Sequence, residues 1–198
     1  MVKLLILVML VFSQAYSFAQ TTPNDSLRRE LEEIYAADQQ PRRAVSQIIK
    51  QYGIDSPQLD SLGQAIRKVD SLNQIKVEKM IDLYGWLGKS EVGDMANQTL
   101  FLIIQHSDMA VQEKYLPLLR KSVNSLESNA YDLALMEDRV LVSQGKKQLY
   151  GSQVRRNPQT NQYEVLPIED EKNIDKRRKK MGMESLSEYL KGFGITYR

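Results

Sequence analysis

Apolar residues recur at helical spacing along the first half of the chain. The spacing predicts a first helix that begins after Asp25 and is interrupted at Pro41. A second helix is expected around 45–52, and a third, long helix should run from the turn at 55–57 to the Tyr-Gly pair at 84–85. The pattern therefore predicts that the first half of the chain is a succession of helices joined by short turns.

The helical pattern continues to about residue 145. A loop is expected over 86–93, followed by a strongly apolar helix from about Asp94 to Gln105. Either Ser107 or Asp108 can cap the next helix. A further helix is predicted from about Tyr131 to Val142.

The pattern then changes from helical to extended. Two short extended runs, 148–154 and 162–166, flank Asn, Pro and Thr residues at 157–161, which is a hairpin signal. Two short helices are expected over 175–181 and 185–190. The predicted fold class is mainly α (α+β): a single helical domain with one late β-hairpin near 148–166. A lone hairpin is marginally stable, so this one should pack on the helices.

The first twenty residues have the organisation of a secretory signal peptide. Lys3 is their only charge, Leu4 to Phe12 is an unbroken apolar run, and Ser17-Phe18-Ala19 supplies small residues for cleavage. Nine apolar residues are too few to span a bilayer, which needs about 20. We therefore divide the chain into a signal peptide (1–20), an N-terminal helical segment packed on the core (21–56) and a helical core with the hairpin (57–198).

Composition narrows the function classes. The chain has 198 residues, 42% hydrophobic and 26% charged, with a formal net charge of +2, which is typical of a globular domain. This balance gives no global attraction to nucleic acid or to an anionic membrane. The basic run 176–180 follows acidic residues that can pair with it, so we interpret it as a solvated helix face.

The numbers of cysteine and histidine residues narrow the possible function classes further. The chain has no cysteine and one histidine, so it has no disulfide and no lipid-anchoring cysteine, and a zinc site is not expected. We expect no cofactor, no metal and no membrane anchor. The expected location is periplasmic or secreted, with an unknown small-molecule or protein partner in the cell envelope.

Polar residues at the ends of apolar elements mark a candidate site. His106, the only histidine, could serve as a general base if Asp138 or Asp108 orients its other ring nitrogen. The tentative catalytic residues are thus His106 and Asp138. The tentative ligand-binding residues are Gln105, Asp108, Arg139, Gln148, Tyr150 and Arg178.

The chain resembles the bacterial family known as domain of unknown function 6624, over nearly all of its length after the predicted signal peptide. The resemblance is carried by Asp38, Gln39, Arg42, Asp70, Asn73, Gly85, Trp86, Val92, Gly93, Gln105, His106, Ser107, Asp108, Asp138, Arg139, Gln148, Tyr150, Gly151, Ser152, Gln153, Pro167, Ile168, Glu169, Asp170, Asp175, Arg177, Arg178 and Gly182. It implies that these residues act together, and it brings no known activity.

Two functions stay open at this point. The first is an exported binding or interaction module with a polar cleft around His106, Asp138, Arg139 and Tyr150. The second is a hydrolase or transferase that uses His106 as general base, oriented by Asp138. A structural role competes with both, because a histidine at a helix end can simply satisfy terminal carbonyls and buried polar networks often fix the position of an element.

Overall fold

The computed structural model describes residues 23–197 as helices joined by short loops, with one small antiparallel sheet late in the chain. The helices are α1 (Pro23–Arg42), α2 (Val45–Tyr52), α3 (Pro57–Tyr84), α4 (Lys89–Val92), α5 (Asp94–His106), α6 (Met109–Asn124), α7 (Ala130–Ser143), α8 (Ile174–Lys180) and α9 (Leu186–Lys191). The strands are β1 (Val154–Arg156) and β2 (Tyr163–Val165). The predicted mainly α fold with one hairpin is confirmed. The predicted signal peptide, 1–20, lies outside the described residues.

Local sequence fixes several helix ends. Ser56 caps α3 by accepting a hydrogen bond from the Leu59 N–H, with Pro57 in the first helical position. Of the two candidate caps for α6, Asp108 takes the role, because its carboxylate accepts from the Val111 N–H at 3.0 Å. These caps satisfy backbone donors that would otherwise lack a partner.

Helix α1 continues past the point where a break was expected. Pro41 lies in its last turn, and the helix ends only after Arg42. A proline near a helix end removes one backbone hydrogen bond and leaves the preceding turns intact. The extension has a consequence for the site, because it keeps Arg42 one helical turn beyond Asp38.

Helix α5 forms the centre of the main hydrophobic core. Helices α1 and α3 pack against it, α4 precedes it directly, and α6 packs between α5 and α7. Its buried apolar side chains are Ala96, Leu100, Phe101, Ile103 and Ile104. Among the described residues, no helix combines the length and the apolar composition needed to cross a membrane.

A second, smaller core lies under the hairpin. It contains Ile168, Ile174, Leu186 and Leu190, and the inward side chains of the hairpin pack against it. In the hairpin register, Val154 pairs with Val165, Arg155 with Glu164 and Arg156 with Tyr163.

The segment before the hairpin is mostly irregular, whereas the sequence predicted an extended run from residue 148. Gly151 has φ +68°, and a Cβ there would lie 2.7 Å from Cδ1 of Leu186. Only glycine combines that conformation with such a close approach. Residues 148–153 are held mainly by hydrogen bonds to side chains, and this is why they do not form a longer strand.

Candidate functional site

Four charged or titratable side chains from three helices meet at the C-terminal end of α5. Asp38 and Arg42 lie one turn apart near the end of α1, Asp70 lies in the middle of α3, and His106 is the last residue of α5. We call these four residues the tetrad. They are separated by up to 68 positions in sequence, so the packing of α1 and α3 against α5 brings them together.

Asp38 is the buried centre of the tetrad. Its Oδ1 lies 3.1 Å from Nδ1 of His106 and 3.1 Å from Nη1 of Arg42. Its Oδ2 accepts a hydrogen bond from Nε2 of Gln39 at 2.6 Å. The residue is fully buried, and both carboxylate oxygens are therefore engaged inside the fold.

Arg42 connects the remaining members. Its Nη2 donates to both oxygens of Asp70, at 2.8 and 3.0 Å, and also lies 3.1 Å from Nδ1 of His106. A single ring nitrogen cannot donate to Asp38 and accept from Arg42 at once. A protonated Nδ1 of His106 pairs with Asp38, whereas an unprotonated Nδ1 accepts from Arg42.

The other ring nitrogen of His106 is available. In both arrangements Nδ1 is engaged, and Nε2 has no hydrogen-bond partner among the described residues. The His106 side chain is 26% exposed. The tetrad therefore fixes the orientation of the imidazole and leaves Nε2 free to interact with a bound molecule.

The surroundings favour the ionised form of Asp38. Burial alone would raise its pKa, but the hydrogen bonds from His106 and Gln39 and the charge of Arg42 outweigh burial and hold the pKa below its usual value. A negative charge fixed beside Nδ1 is the usual way in which a protein orients a reactive histidine.

The tetrad also contains the elements of a metal site. Asp38, Asp70 and His106 each offer one ligand atom, and these atoms lie within 4.8 Å of one another; no other group of this kind occurs among the described residues. The Arg42 guanidinium lies between the same side chains and already supplies positive charge. The three residues could bind a divalent metal only if Arg42 moved away.

The structure does not bring Asp138 to His106. Asp138 is fully buried in α7, and its carboxylate accepts hydrogen bonds from the N–H groups of Leu149, Tyr150 and Ser152 at 2.6, 3.0 and 2.9 Å. Burial raises its pKa, and the three N–H donors act in the opposite direction. Asp108, the other predicted partner, caps α6 instead. The carboxylate that orients His106 is therefore that of Asp38.

Two other predicted ligand-binding residues, Arg139 and Tyr150, make contacts within the fold. Arg139 is half-buried and donates from Nη1 to the carbonyl of Gln105 at 3.1 Å, which ties α7 to the end of α5. Burial lowers its pKa. The hydroxyl of Tyr150 donates to Glu137 at 3.2 Å, and burial, followed by the charge of Glu137, raises the pKa of Tyr150 to about 12.

Gln148 and Arg178, also predicted to bind a ligand, hold the hairpin. Both are fully buried. Gln148 donates to the carbonyls of Gln153 and Leu166, at 3.1 and 2.8 Å, and accepts from the Gln153 N–H. Arg178 donates to the carbonyls of Tyr150 and Glu184, at 2.5 and 2.7 Å. Hydrogen bonds from these side chains replace the backbone–backbone hydrogen bonds that a regular sheet would provide in this region.

Sequence reasoning about chemistry missed three of the four tetrad residues. Asp38, Arg42 and Asp70 entered only through the family resemblance. The local signal was present, since Asp38 and Arg42 have the i, i+4 spacing of a helical ion pair. Nothing in the sequence indicated that this pair would face His106.

Comparison with known proteins identifies a family. The model of a family of unknown function, DUF6624, matches residues 25–197. The chain belongs to the DUF6624 family. No curated protein and no solved structure matches it. The residues through which the chain resembles DUF6624 include all four tetrad members and the hairpin-holding Asp138, Gln148 and Arg178.

The hydrogen bonds of Asp138 predict that it is a structural residue. Asp138→Ala would leave three N–H groups without their acceptor, so we expect the free energy of unfolding to fall by about 3 kcal/mol or more. Denaturant unfolding measures the change. Asp55→Ala, at an exposed position, is the control and should change stability by less than about 0.5 kcal/mol. Equal stability of the two variants would contradict the anchoring role.

The lowered pKa of Asp38 predicts a pH-dependent contribution to stability. Since ionised Asp38 is stabilised by folding, wild type should be more stable than Asp38→Asn by about 1–2 kcal/mol near neutral pH. The difference should begin to shrink as the pH falls below the ordinary value of 3.8 and vanish below the folded-state pKa. Unfolding curves between pH 7 and pH 2 measure it, with Asp55→Asn as control. A difference that did not change with pH would contradict this assignment.

Proposed function

We propose that this DUF6624 protein is exported and acts in the periplasm or outside the cell as a binding module. Export is supported by the first twenty residues, in which Lys3, the apolar run 4–12 and the small residues Ser17 and Ala19 follow the order of a cleavable signal peptide. The ligand is a small polar molecule or a polar group of a protein partner, recognised at the exposed side of the tetrad.

The observation that carries the binding proposal is the fixed orientation of His106. Asp38 is buried and holds Nδ1, while Nε2 has no partner among the described residues. A side chain that is already ordered loses little conformational entropy when a ligand binds, so each hydrogen bond to the ligand contributes more to affinity.

A binding role is favoured over catalysis because Asp138, the predicted catalytic partner of His106, is engaged elsewhere, as are two of the predicted ligand-binding residues. Asp138 accepts from the backbone before the hairpin, and Gln148 and Arg178 hold the same segment. The hydroxyl next to His106 is also engaged, since Ser107 donates to the carbonyl of Ile103 at 2.9 Å. No nucleophile paired with His106 is present among the described residues.

One observation favours a second candidate function, a hydrolase or transferase. The Asp38–His106 pair has the arrangement by which a carboxylate orients a histidine general base, with the opposite ring nitrogen free to take a proton. In this role His106 would activate water or a hydroxyl supplied by the substrate. Asp38 then takes the orienting role that the sequence had suggested for Asp138.

Export predicts a shortened protein outside the cytoplasm. When the full chain is expressed in a bacterial host with an outer membrane, mass spectrometry should find a mature N-terminus at Gln20 or Thr21 in the periplasm or medium. Leu7→Arg, which interrupts the apolar run, should block export, whereas Thr22→Arg beyond the cleavage site should not. Recovery of wild type in the cytoplasm with residues 1–19 retained would overturn the export proposal.

Binding at His106 predicts that a substitution which keeps the contact with Asp38 still weakens ligand binding. In His106→Asn the amide nitrogen can replace Nδ1 and keep the contact with Asp38, but the Nε2 contact is lost. We expect ligands found with wild type to bind His106→Asn at least about tenfold more weakly, equivalent to about 1.4 kcal/mol, without loss of its fold.

The measurement is a thermal-shift screen of sugars, amino acids, nucleotides and short peptides, followed by NMR of the ring signals of the only histidine. Gln51→Ala, at an exposed position of α2, is the control and should bind like wild type. A ligand recovered unchanged supports the binding module, whereas turnover that His106→Asn abolishes supports the enzyme. Equal ligand binding by wild type and His106→Asn would exclude the tetrad as the site of either function.

A further inference from the structure

A second polar site lies at the opposite end of α5 from the tetrad. A cavity of about 400 Å³ opens between the start of α4, the start of α5 and the start of α7. This volume is within the range of small-molecule sites. The lining residues are Lys89, Asp94, Asn97, Gln98, Ser128, Asn129, Ala130 and Asp132.

Asp132 is the unusual member of this lining. Asp132 lines the cavity, the residue is only 7% exposed, and no described residue gives it a hydrogen bond or an ion pair. Buried polar groups nearly always have such a partner. Burial raises the pKa of Asp132 to about 6, because it disfavours the ionised form of the carboxyl group.

The groups around Asp132 include further hydrogen-bond acceptors, beside the donors Lys89 and Gln98. The Nδ2 of Asn97 already donates to the Leu87 carbonyl at 2.7 Å and to Oγ of Ser128 at 2.9 Å, which leaves its Oδ1 as an acceptor. Asp94 adds a second carboxylate at the exposed rim, against the single positive charge of Lys89. The lining therefore carries a net negative charge when Asp132 is ionised.

We propose that this cavity binds a small organic cation, whose ammonium or guanidinium N–H groups donate to Asp132. Such a group supplies both the positive charge and the hydrogen bonds that Asp132 lacks. Lys89 at the rim suits a ligand that carries an acidic group at its other end, as an amino acid does.

An organic cation fits this cavity better than a metal ion. Among the described residues, the only group of three His, Cys, Asp or Glu side chains close enough for a metal is in the tetrad, and Asp132 does not belong to it. The two sites are also distinct, because Asp94 and His106 lie at opposite ends of α5, about 18 Å apart along the helix. This inference is independent of the function proposed for His106.

Calorimetric titration of the protein with agmatine and with n-butylamine tests the proposal. Both probes stay cationic between pH 5 and pH 7.5. We expect both to bind at pH 7.5 and to bind about tenfold more weakly at pH 5, because most of Asp132 is then protonated. The other charged groups at the cavity are Lys89 on α4 and Asp94 on α5.

Variants separate the role of Asp132 from general electrostatics. Asp132→Asn should weaken binding of both probes at least about tenfold and remove most of the pH dependence, while the melting temperature at pH 7.5 should rise because a buried charge is gone. Asp94→Asn should weaken binding less, and Asp55→Asn should not change it. If Asp132→Asn lowers the melting temperature, the pH dependence of wild type remains the deciding measurement.

Four results would overturn the proposal. The first is that wild type binds neither probe at about 1 mM, and the second is that it binds tetramethylammonium, which has no N–H donor, equally well. The third is equal probe affinity in wild type and a folded Asp132→Asn. The fourth is a wild-type affinity that does not change between pH 7.5 and pH 5. A preference for Ca²⁺ or Mg²⁺ that Asp132→Asn abolishes would replace the organic cation with a metal site.

Discussion

The burial of α5 is the constraint on which the rest of the structure depends. Its apolar side chains, such as Leu100 and Ile104, are enclosed by the surrounding helices, so polar groups can be accommodated mainly at its two ends. Asp94 at the N-terminus and His106 at the C-terminus also suit the helix dipole. The two sites inferred here therefore lie where the core ends, and each is completed by side chains from neighbouring helices.

The hairpin depends on a different kind of stabilisation. Its own core is small, and the preceding segment has little regular backbone pairing. The backbone donors and acceptors of the hairpin and of the segment before it are satisfied from inside the protein by Asp138, Gln148 and Arg178. Each such bond contributes modestly, but losing one leaves a buried polar group without a partner, which is costly. This asymmetry explains why polar side chains that the sequence assigns to catalysis or ligand binding can be structural.

Local chemistry in the sequence was enough to predict most of the fold. The turn before α3, the glycine after Tyr84 and the periodicity of α5 each depend on neighbouring residues. The partner of His106 could not be predicted in that way, because Asp38 reaches it only through the packing of α1 against α5. Asp138 appeared the better partner because it interrupts an apolar helix. In the fold, that position faces the backbone before the hairpin.

Three buried aspartates show how environment decides what a carboxylate does. The partners of Asp38 lower its pKa, and those of Asp138 are backbone N–H groups that oppose the effect of burial. Asp132 has neither a charged partner nor a backbone N–H donor, and burial alone raises its pKa to about 6. A well-packed fold can tolerate the free-energy cost of one buried carboxyl group without a partner. Residues that are retained at a cost to stability are often those used in function. Asp38 and Asp138 have their partners within the fold, whereas Asp132 has no hydrogen-bond partner among the described residues, and this difference is what makes it the candidate for an external ligand.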